Sequence, residues 1–147
     1  MASLSPLMQE VLQSGGTVEL TVTGNSMWPT LCHKVSRVRL APVESLHKGD
    51  LPLYRRDNGS FILHRIIKVH DGVYACCGDN QWHLEHGLRQ DQMLAVVTHF
   101  ARKKRWISVE HGLYQVYWRV WVAIRPLRRL VIGGWRRVKR TLRRLLK

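Results

Sequence analysis

Short stretches in which hydrophobic and polar residues alternate run through most of the first hundred residues. Residues 17–23 alternate in this way and run into a Gly-Asn turn, which is the pattern of a strand with one buried face. Similar stretches, separated by Gly- and Asp-containing turns, lie at residues 35–40, 51–54, 61–69, 73–76 and 93–100. Many short strands at this spacing predict a compact β domain.

Two segments show helical spacing instead. Residues 4–13 place their apolar side chains on one side of a short helix, which Gly15 and Gly16 end. A longer pattern begins near Leu113, with apolar positions within about 40° of one direction and basic residues in the opposite half. The expected fold class is therefore mainly β, with a short N-terminal helix and a long basic amphipathic C-terminal helix.

The formal net charge of +14 comes from one part of the chain. Residues 1–100 hold nine Lys and Arg and nine Asp and Glu, whereas residues 101–147 hold fifteen Lys and Arg against Glu110 alone. The basic run at residues 102–105 marks the predicted boundary. We expect a neutral β domain over residues 1–101 and a basic helical tail over residues 102–147.

Charges interrupt every apolar stretch before it reaches the ~20 residues of a membrane-spanning helix. The first residues have no basic segment followed by a long apolar core, so a secretory signal is not expected. Three Cys, two of them adjacent, do not form a disulfide framework and agree with a reducing compartment. The expected location is the cytosol.

The turn that ends the first predicted strand carries Ser26, a candidate nucleophile that would need a base within hydrogen-bond reach. His64 is the leading candidate for that base, because the strand pattern around it would hold the ring rigidly. Asp79 follows the next strand and could orient the imidazole or stabilise the imidazolium. Each residue taken alone also fits a structural role, as a turn Ser, a buried His or an Asx-turn Asp.

Four short motifs follow one another along the predicted β domain, and together they resemble the conserved boxes of the signal peptidase I and LexA-type serine peptidases, in the same order. The motifs are Val22-x-Gly24-x-Ser26-Met27-x-Pro29, Lys48-Gly49-Asp50, residues 61–69 with His64-Arg65, and Gly78-Asp79-Asn80. The similarity covers roughly residues 17–100. It implies a LexA/signal-peptidase-like compact β fold.

The resemblance also implies a mechanism. Bacterial signal peptidases and LexA-like proteins have Lys at the base position, whereas the archaeal and endoplasmic-reticulum type has His. This sequence has His64 at that position. His64 would take the proton of Ser26, which would attack a peptide carbonyl to form an acyl-enzyme that water hydrolyses. Asp79 would be the supporting acid.

The residues around the nucleophile are the candidates for substrate binding and the oxyanion hole: Gly24, Asn25 and Met27, with the Ser26 N–H as donor. Many signal peptidases have a Ser two residues before the nucleophile, but Gly24 lies there, as in the LexA-like branch. Asn25 is a possible substitute donor. No cofactor is expected, and no metal, because the spacing of the Cys and His residues matches no closed tetrahedral pattern.

A basic amphipathic helix with Trp near its polar boundary is typical of an interfacial membrane helix, which favours anionic lipid. The expected membrane-binding residues are Trp118, Trp121, Arg128, Arg129, Trp135, Arg136, Arg137 and Arg140. Packing of the same face on the domain or on another chain is the alternative for residues 113–127. Nucleic acid ranks below lipid, since base stacking needs aromatic and basic side chains on the same face.

The sequence therefore predicts a serine peptidase that cleaves a peptide or leader sequence at the cytosolic membrane surface. LexA-type self-cleavage is not expected, because no Ala-Gly bond precedes Ser26. Ordinary signal peptidases have an N-terminal membrane anchor, which this sequence lacks, so the substrate is expected on the cytosolic side. The alternative function is an inactive β module that recruits a partner to membrane or nucleic acid through its tail.

Overall fold

The computed structural model describes residues 4–128, Leu130 and Gly134, and within them the chain is mainly β with a curled sheet. Helix α1 (Pro6–Gln13) begins where the Ser5 hydroxyl accepts the Met8 N–H, with Pro6 in its first turn. The strands follow: β1 (Val18–Thr21), β2 (Ser36–Ala41), β3 (Pro52–Arg55), β4 (Phe61–Leu63), β5 (Arg65–His70), β6 (Val73–Cys77), β7 (Glu85–Arg89), β8 (Met93–Arg102) and β9 (Arg105–Ser108). Helix α2 (Gly112–Ala123) follows the last strand, and residues 125–128 are again helical.

The strands form two antiparallel sheets. The larger has the order β1-β2-β8-β3-β4, and β9 pairs with the far end of β8 beyond β3. The smaller contains β5, β6 and β7. The loop before β3 joins the two sheets, since the Gly49 N–H donates to the Ile66 carbonyl and the Ile66 N–H donates to the Asp50 carbonyl, both at 2.9 Å.

Each sheet has its own hydrophobic cluster. The main core packs α1, β1, β2, β3 and β8 together around fully buried residues such as Leu31 and Leu40. A smaller core beneath β5–β7 contains Tyr54, Ile66 and Tyr74. Tyr54 is fully buried and belongs to β3, so it reaches from the larger sheet into the core of the smaller one.

The expected boundary after residue 101 cuts through the observed domain. Strand β8 continues to Arg102 and pairs with β9, which lies wholly in the predicted tail. In α2, Tyr114 and Trp118 are buried in the main core. Among the described residues, the first part of the basic tail is therefore an integral part of the domain.

The predicted strand at residues 61–69 is interrupted at His64, which lies between β4 and β5. Strands β7 and β9 have no counterpart among the predicted elements. In the part of the chain that the structure describes, no helix is both long and apolar enough to cross a membrane. Most of the region expected to form a long C-terminal helix lies outside the described residues.

Candidate active site

Ser26 lies in the turn that follows β1, where the chain leaves the sheet. Gly24 has φ +91°, a left-handed conformation that favours glycine, and its N–H donates to His33 Nδ1 at 2.7 Å. The segment after β6 holds the turn from the other side. The Asn80 N–H donates to the Ser26 carbonyl at 2.8 Å, and the Asn80 side-chain amide donates to the Asn25 carbonyl at 3.1 Å.

Close approach at Gly78 brings these two segments together. A Cβ atom at Gly78 would lie 2.5 Å from the Ser26 carbonyl oxygen, so only glycine allows this contact. Ser26 itself is half-buried, and neither its hydroxyl nor its N–H has a hydrogen-bond partner among the described residues. Both groups are therefore free to form a hydrogen bond with a ligand.

An open cleft of about 730 Å³ contains both Ser26 and His64. Its other lining residues include Asn25, Arg56, Glu85 and the segment 80–84. A cleft of this size, with a hydroxyl and an imidazole in its wall, can accommodate a few residues of a peptide. The structure thus brings together the predicted nucleophile and the predicted base in one concave site.

The His64 ring is buried, with 5% of the residue exposed. Burial disfavours the imidazolium and lowers the pKa of His64 from 6.5 to about 4, although the nearby Glu85 carboxylate acts in the opposite direction. Its Nδ1 lies 3.2 Å from the Tyr54 hydroxyl oxygen, and Nε2 makes no hydrogen bond to the described residues. At neutral pH the ring is therefore uncharged, as a general base must be.

Asp79 does not contact the His64 ring through a hydrogen bond, in contrast to the expected Ser-His-Asp arrangement. Its two carboxylate oxygens accept from Arg65 Nε at 2.8 Å and from Arg65 Nη2 at 2.7 Å. The Thr30 hydroxyl donates to the same carboxylate. Both partners of the Arg65–Asp79 ion pair are almost completely buried, so the pair is part of the domain interior.

Arg65 extends this buried network to two other segments. Its Nη1 donates to the Gly49 carbonyl and to the Tyr114 hydroxyl, both at 3.0 Å. Arg65 thereby links the loop before β3, the segment after β6 and helix α2. The Asp79 carboxylate therefore pairs with the Arg65 guanidinium and not with His64, and this pair holds the segment whose next residue, Asn80, contacts Ser26.

The three expected membrane-binding residues that the structure describes face the domain. Trp118 is 7% exposed and packs so closely on Gly49 that a Cβ there would collide with its ring. The Trp121 indole N–H donates to the Asp79 carbonyl at 3.1 Å, and the Arg128 guanidinium lies over the Trp121 ring and donates to the same carbonyl. These residues attach α2 and its continuation to the site. Arg129, Trp135, Arg136, Arg137 and Arg140 lie outside the described residues.

The sequence did not indicate Tyr54, Glu85 or Arg65 as parts of the site. Tyr54 lies at an apolar strand position, and Glu85 lies where no strand was predicted. Arg65 belongs to the His64-Arg65 motif and is a charged residue inside the apolar run after His64, but the sequence assigned it no role. A charge at such a position needs a buried partner, and Asp79 is that partner.

No protein-family model matches the chain, and comparison with characterised proteins finds no significant match. In the part of the chain that the structure describes, no group of three or more His, Cys, Asp or Glu side chains is arranged to hold a metal ion. The proposed function therefore depends on the geometry of the cleft.

Proposed function

We propose that the protein is a serine peptidase, with Ser26 as nucleophile and His64 as general base, and that it cleaves a peptide or leader sequence. The observation that carries this proposal is the cleft shared by an unpartnered Ser26 hydroxyl and a neutral, buried imidazole whose Nε2 is free. The order of the sequence motifs, which resembles that of the signal peptidase and LexA-type enzymes, supports it independently.

The proposed reaction uses groups that the cleft already presents. His64 Nε2 accepts the Ser26 proton as Oγ attacks the peptide carbonyl, and the imidazolium then protonates the leaving amine. Water hydrolyses the resulting acyl-enzyme. The unpaired Ser26 N–H is the proposed oxyanion donor, while the Asn25 carbonyl and the Asn80 side chain keep the turn in place.

A fluorophosphonate probe followed by mass spectrometry tests this proposal. We expect covalent label on Ser26 of the folded protein, because only an activated hydroxyl reacts rapidly with such a probe. Ser60 and Ser108, on other surfaces, are internal controls, as is urea-unfolded protein. Absence of label on Ser26, or equal label on the unfolded chain, would contradict the peptidase and favour the inactive recruiting module.

We further propose that the peptidase acts at an anionic membrane surface, through exposed apolar residues of α2 and its continuation and not through Trp118, Trp121 and Arg128. Helix α2 exposes Leu113, Val116 and Val120 on one side, and Leu127 and Leu130 are exposed beyond it. This exposed apolar stripe lies opposite the residues that pack on the domain. Residues 101–147 are also strongly basic. An anionic lipid surface would cover the exposed apolar stripe and attract the positive charge.

Flotation with vesicles containing anionic lipid tests the surface. Replacing Val116 and Val120 together by Glu is expected to weaken vesicle binding more than about tenfold, because two apolar contacts are lost and two charges repel the lipid. Val69 and Val73 are similarly exposed on the β5–β6 hairpin, so their double replacement by Glu is the matched control. Equal losses in both variants, or stronger binding to RNA than to vesicles at the same salt concentration, would refute the lipid surface.

A further inference from the structure

We propose that Tyr54, Glu85 and Arg56 form a positioning chain that holds the His64 imidazole in the tautomer with its proton on Nδ1. This inference rests on the proposed peptidase function and deepens it. The chain would take the place that the sequence assigned to Asp79. It runs from the surface to the ring through three different strands or loops of the two sheets.

The contacts of the chain are short and consecutive. Arg56 donates from Nε and Nη2 to the two Glu85 oxygens, both at 2.6 Å. The Tyr54 hydroxyl donates to Glu85 Oε2 at 2.7 Å and lies 3.2 Å from His64 Nδ1. The double contact from Arg56 lowers the pKa of Glu85, so this carboxylate is ionised at neutral pH and accepts hydrogen bonds only.

Counting protons determines the tautomer of the ring. A Tyr hydroxyl has one proton, and here that proton is donated to the Glu85 carboxylate. The Tyr54 oxygen can then only accept from His64, so Nδ1 must carry the ring proton. In the neutral ring Nε2 consequently has the lone pair, which makes it the atom that accepts the proton of Ser26.

The same contacts stabilise the charged form that the reaction creates. When Nε2 gains a proton, the Nδ1–H bond to Tyr54 strengthens, and the Glu85 charge lies one hydroxyl away. No proton moves along the chain, because Tyr54 and Glu85 keep their protonation states throughout. The other charged groups that act on the ring are Arg56, which disfavours the imidazolium, and Asp79, which is already paired with Arg65.

Nitrogen NMR of the imidazole tests the tautomer directly. In the wild type at neutral pH we expect the His64 signals of a ring protonated at Nδ1. Tyr54→Phe removes the acceptor and is expected to shift the ring toward the Nε2–H form, whereas Glu85→Gln retains an acceptor for the Tyr54 proton and keeps the Nδ1–H form. A wild-type ring protonated at Nε2 would overturn the proposal, whatever the activity of the protein.

Kinetics of fluorophosphonate labelling give the second measurement. Tyr54→Phe is expected to lower the rate at Ser26 about tenfold to hundredfold, the range for loss of a hydrogen bond to a charged group. The matched control is Tyr74→Phe, which removes another hydroxyl of the same core, bonded to Gln90; neither residue lines the cleft. A similar rate loss in both variants would mean that Tyr54 contributes only to packing, and it would contradict the positioning chain.

The two measurements separate failure of the inference from failure of the proposed function. If the wild type is labelled on Ser26 but its ring is protonated at Nε2, the peptidase stands and the positioning chain is rejected. If the ring is protonated at Nδ1 but Ser26 is never labelled, the chain exists in a protein without peptidase activity. Should Tyr54→Phe not fold, the wild-type spectrum still decides, because a His64 ring protonated at Nε2 would reject the chain.

Discussion

His64→Gln is expected to slow fluorophosphonate labelling of Ser26 by about 10³-fold, because it removes the general base. Gln approximates the size of the ring and can still contact the Tyr54 hydroxyl, so the buried site remains filled. It cannot accept a proton from the serine at neutral pH. The measurement is the labelling rate at several probe concentrations, with the circular dichroism spectrum as a check on folding.

We also expect the rate of Ser26 labelling to depend on pH in an unusual way. Since the pKa of His64 is lowered to about 4, the wild-type ring stays neutral well below pH 6.5. The labelling rate should therefore change less than about twofold between about pH 8 and about pH 5.5, where an ordinary His would lose most of its basic form. The rate should fall only as the pH approaches the lowered pKa.

His70→Gln is the control for this prediction, because His70 is exposed on the β5–β6 hairpin and touches no residue of the cleft. It should leave both the rate and its pH dependence unchanged. A His64→Gln variant that reacts at the wild-type rate would count against His64 as the base. A wild-type rate that falls through pH 6.5 would contradict the lowered pKa of the buried ring.

Asp79→Asn is expected to cost about 3–5 kcal/mol in the free energy of unfolding, because it leaves the Arg65 guanidinium buried without its counter-ion. The Arg65 side chain is fully buried and the Asp79 side chain nearly so, so water cannot replace the lost carboxylate. Equilibrium unfolding in urea measures the change. A variant too unstable to fold would agree with this expectation.

The matched control is Asp91→Asn, which breaks an exposed pair with Arg89. A surface ion pair contributes about 0–1 kcal/mol, so this variant should unfold almost as the wild type does. The decisive contrary result is an Asp79→Asn protein of wild-type stability that has lost labelling of Ser26. It would restore Asp79 to the role of third catalytic residue.

The contacts around Asp79 give this residue a structural importance that a catalytic triad would not require. Its carboxylate binds Arg65, its carbonyl accepts from Trp121 and Arg128, and the next residue holds the Ser26 turn. Helix α2 is thus attached to the same short segment as the nucleophile.

Much of the local structure was predictable because it depends on neighbours along the chain. Alternation of apolar and polar residues predicted five strands, β1, β2, β3, β6 and β8, within a few residues of their observed positions, and helical spacing predicted α1. Turn residues placed Ser26 where β1 ends. The exception at His64 is informative, since an apolar run continues through the point where the chain leaves one sheet and enters the other.

The amphipathic tail shows where periodicity is not sufficient. The sequence separates apolar from basic positions, but it cannot say whether an apolar residue packs on the domain or on lipid. Strand β9 adds an edge to β8, and this places the start of α2 over the main core. Trp118 therefore contacts Gly49, while Leu113 and Val120 remain exposed.

By itself the sequence determined the mainly β character, the position of Ser26 on a turn and the concentration of positive charge after residue 100. Only the tertiary structure decided which groups meet: Ser26 with His64 in one cleft, Asp79 with Arg65 in the interior, and Tyr54 with Glu85 behind the imidazole. The physical reason is the separation along the chain over which each kind of interaction acts. Strand and turn preferences act between near neighbours. These partners instead lie far apart along the chain, on different strands and loops, so their pairing depends on sheet register and on the need to satisfy every buried charge.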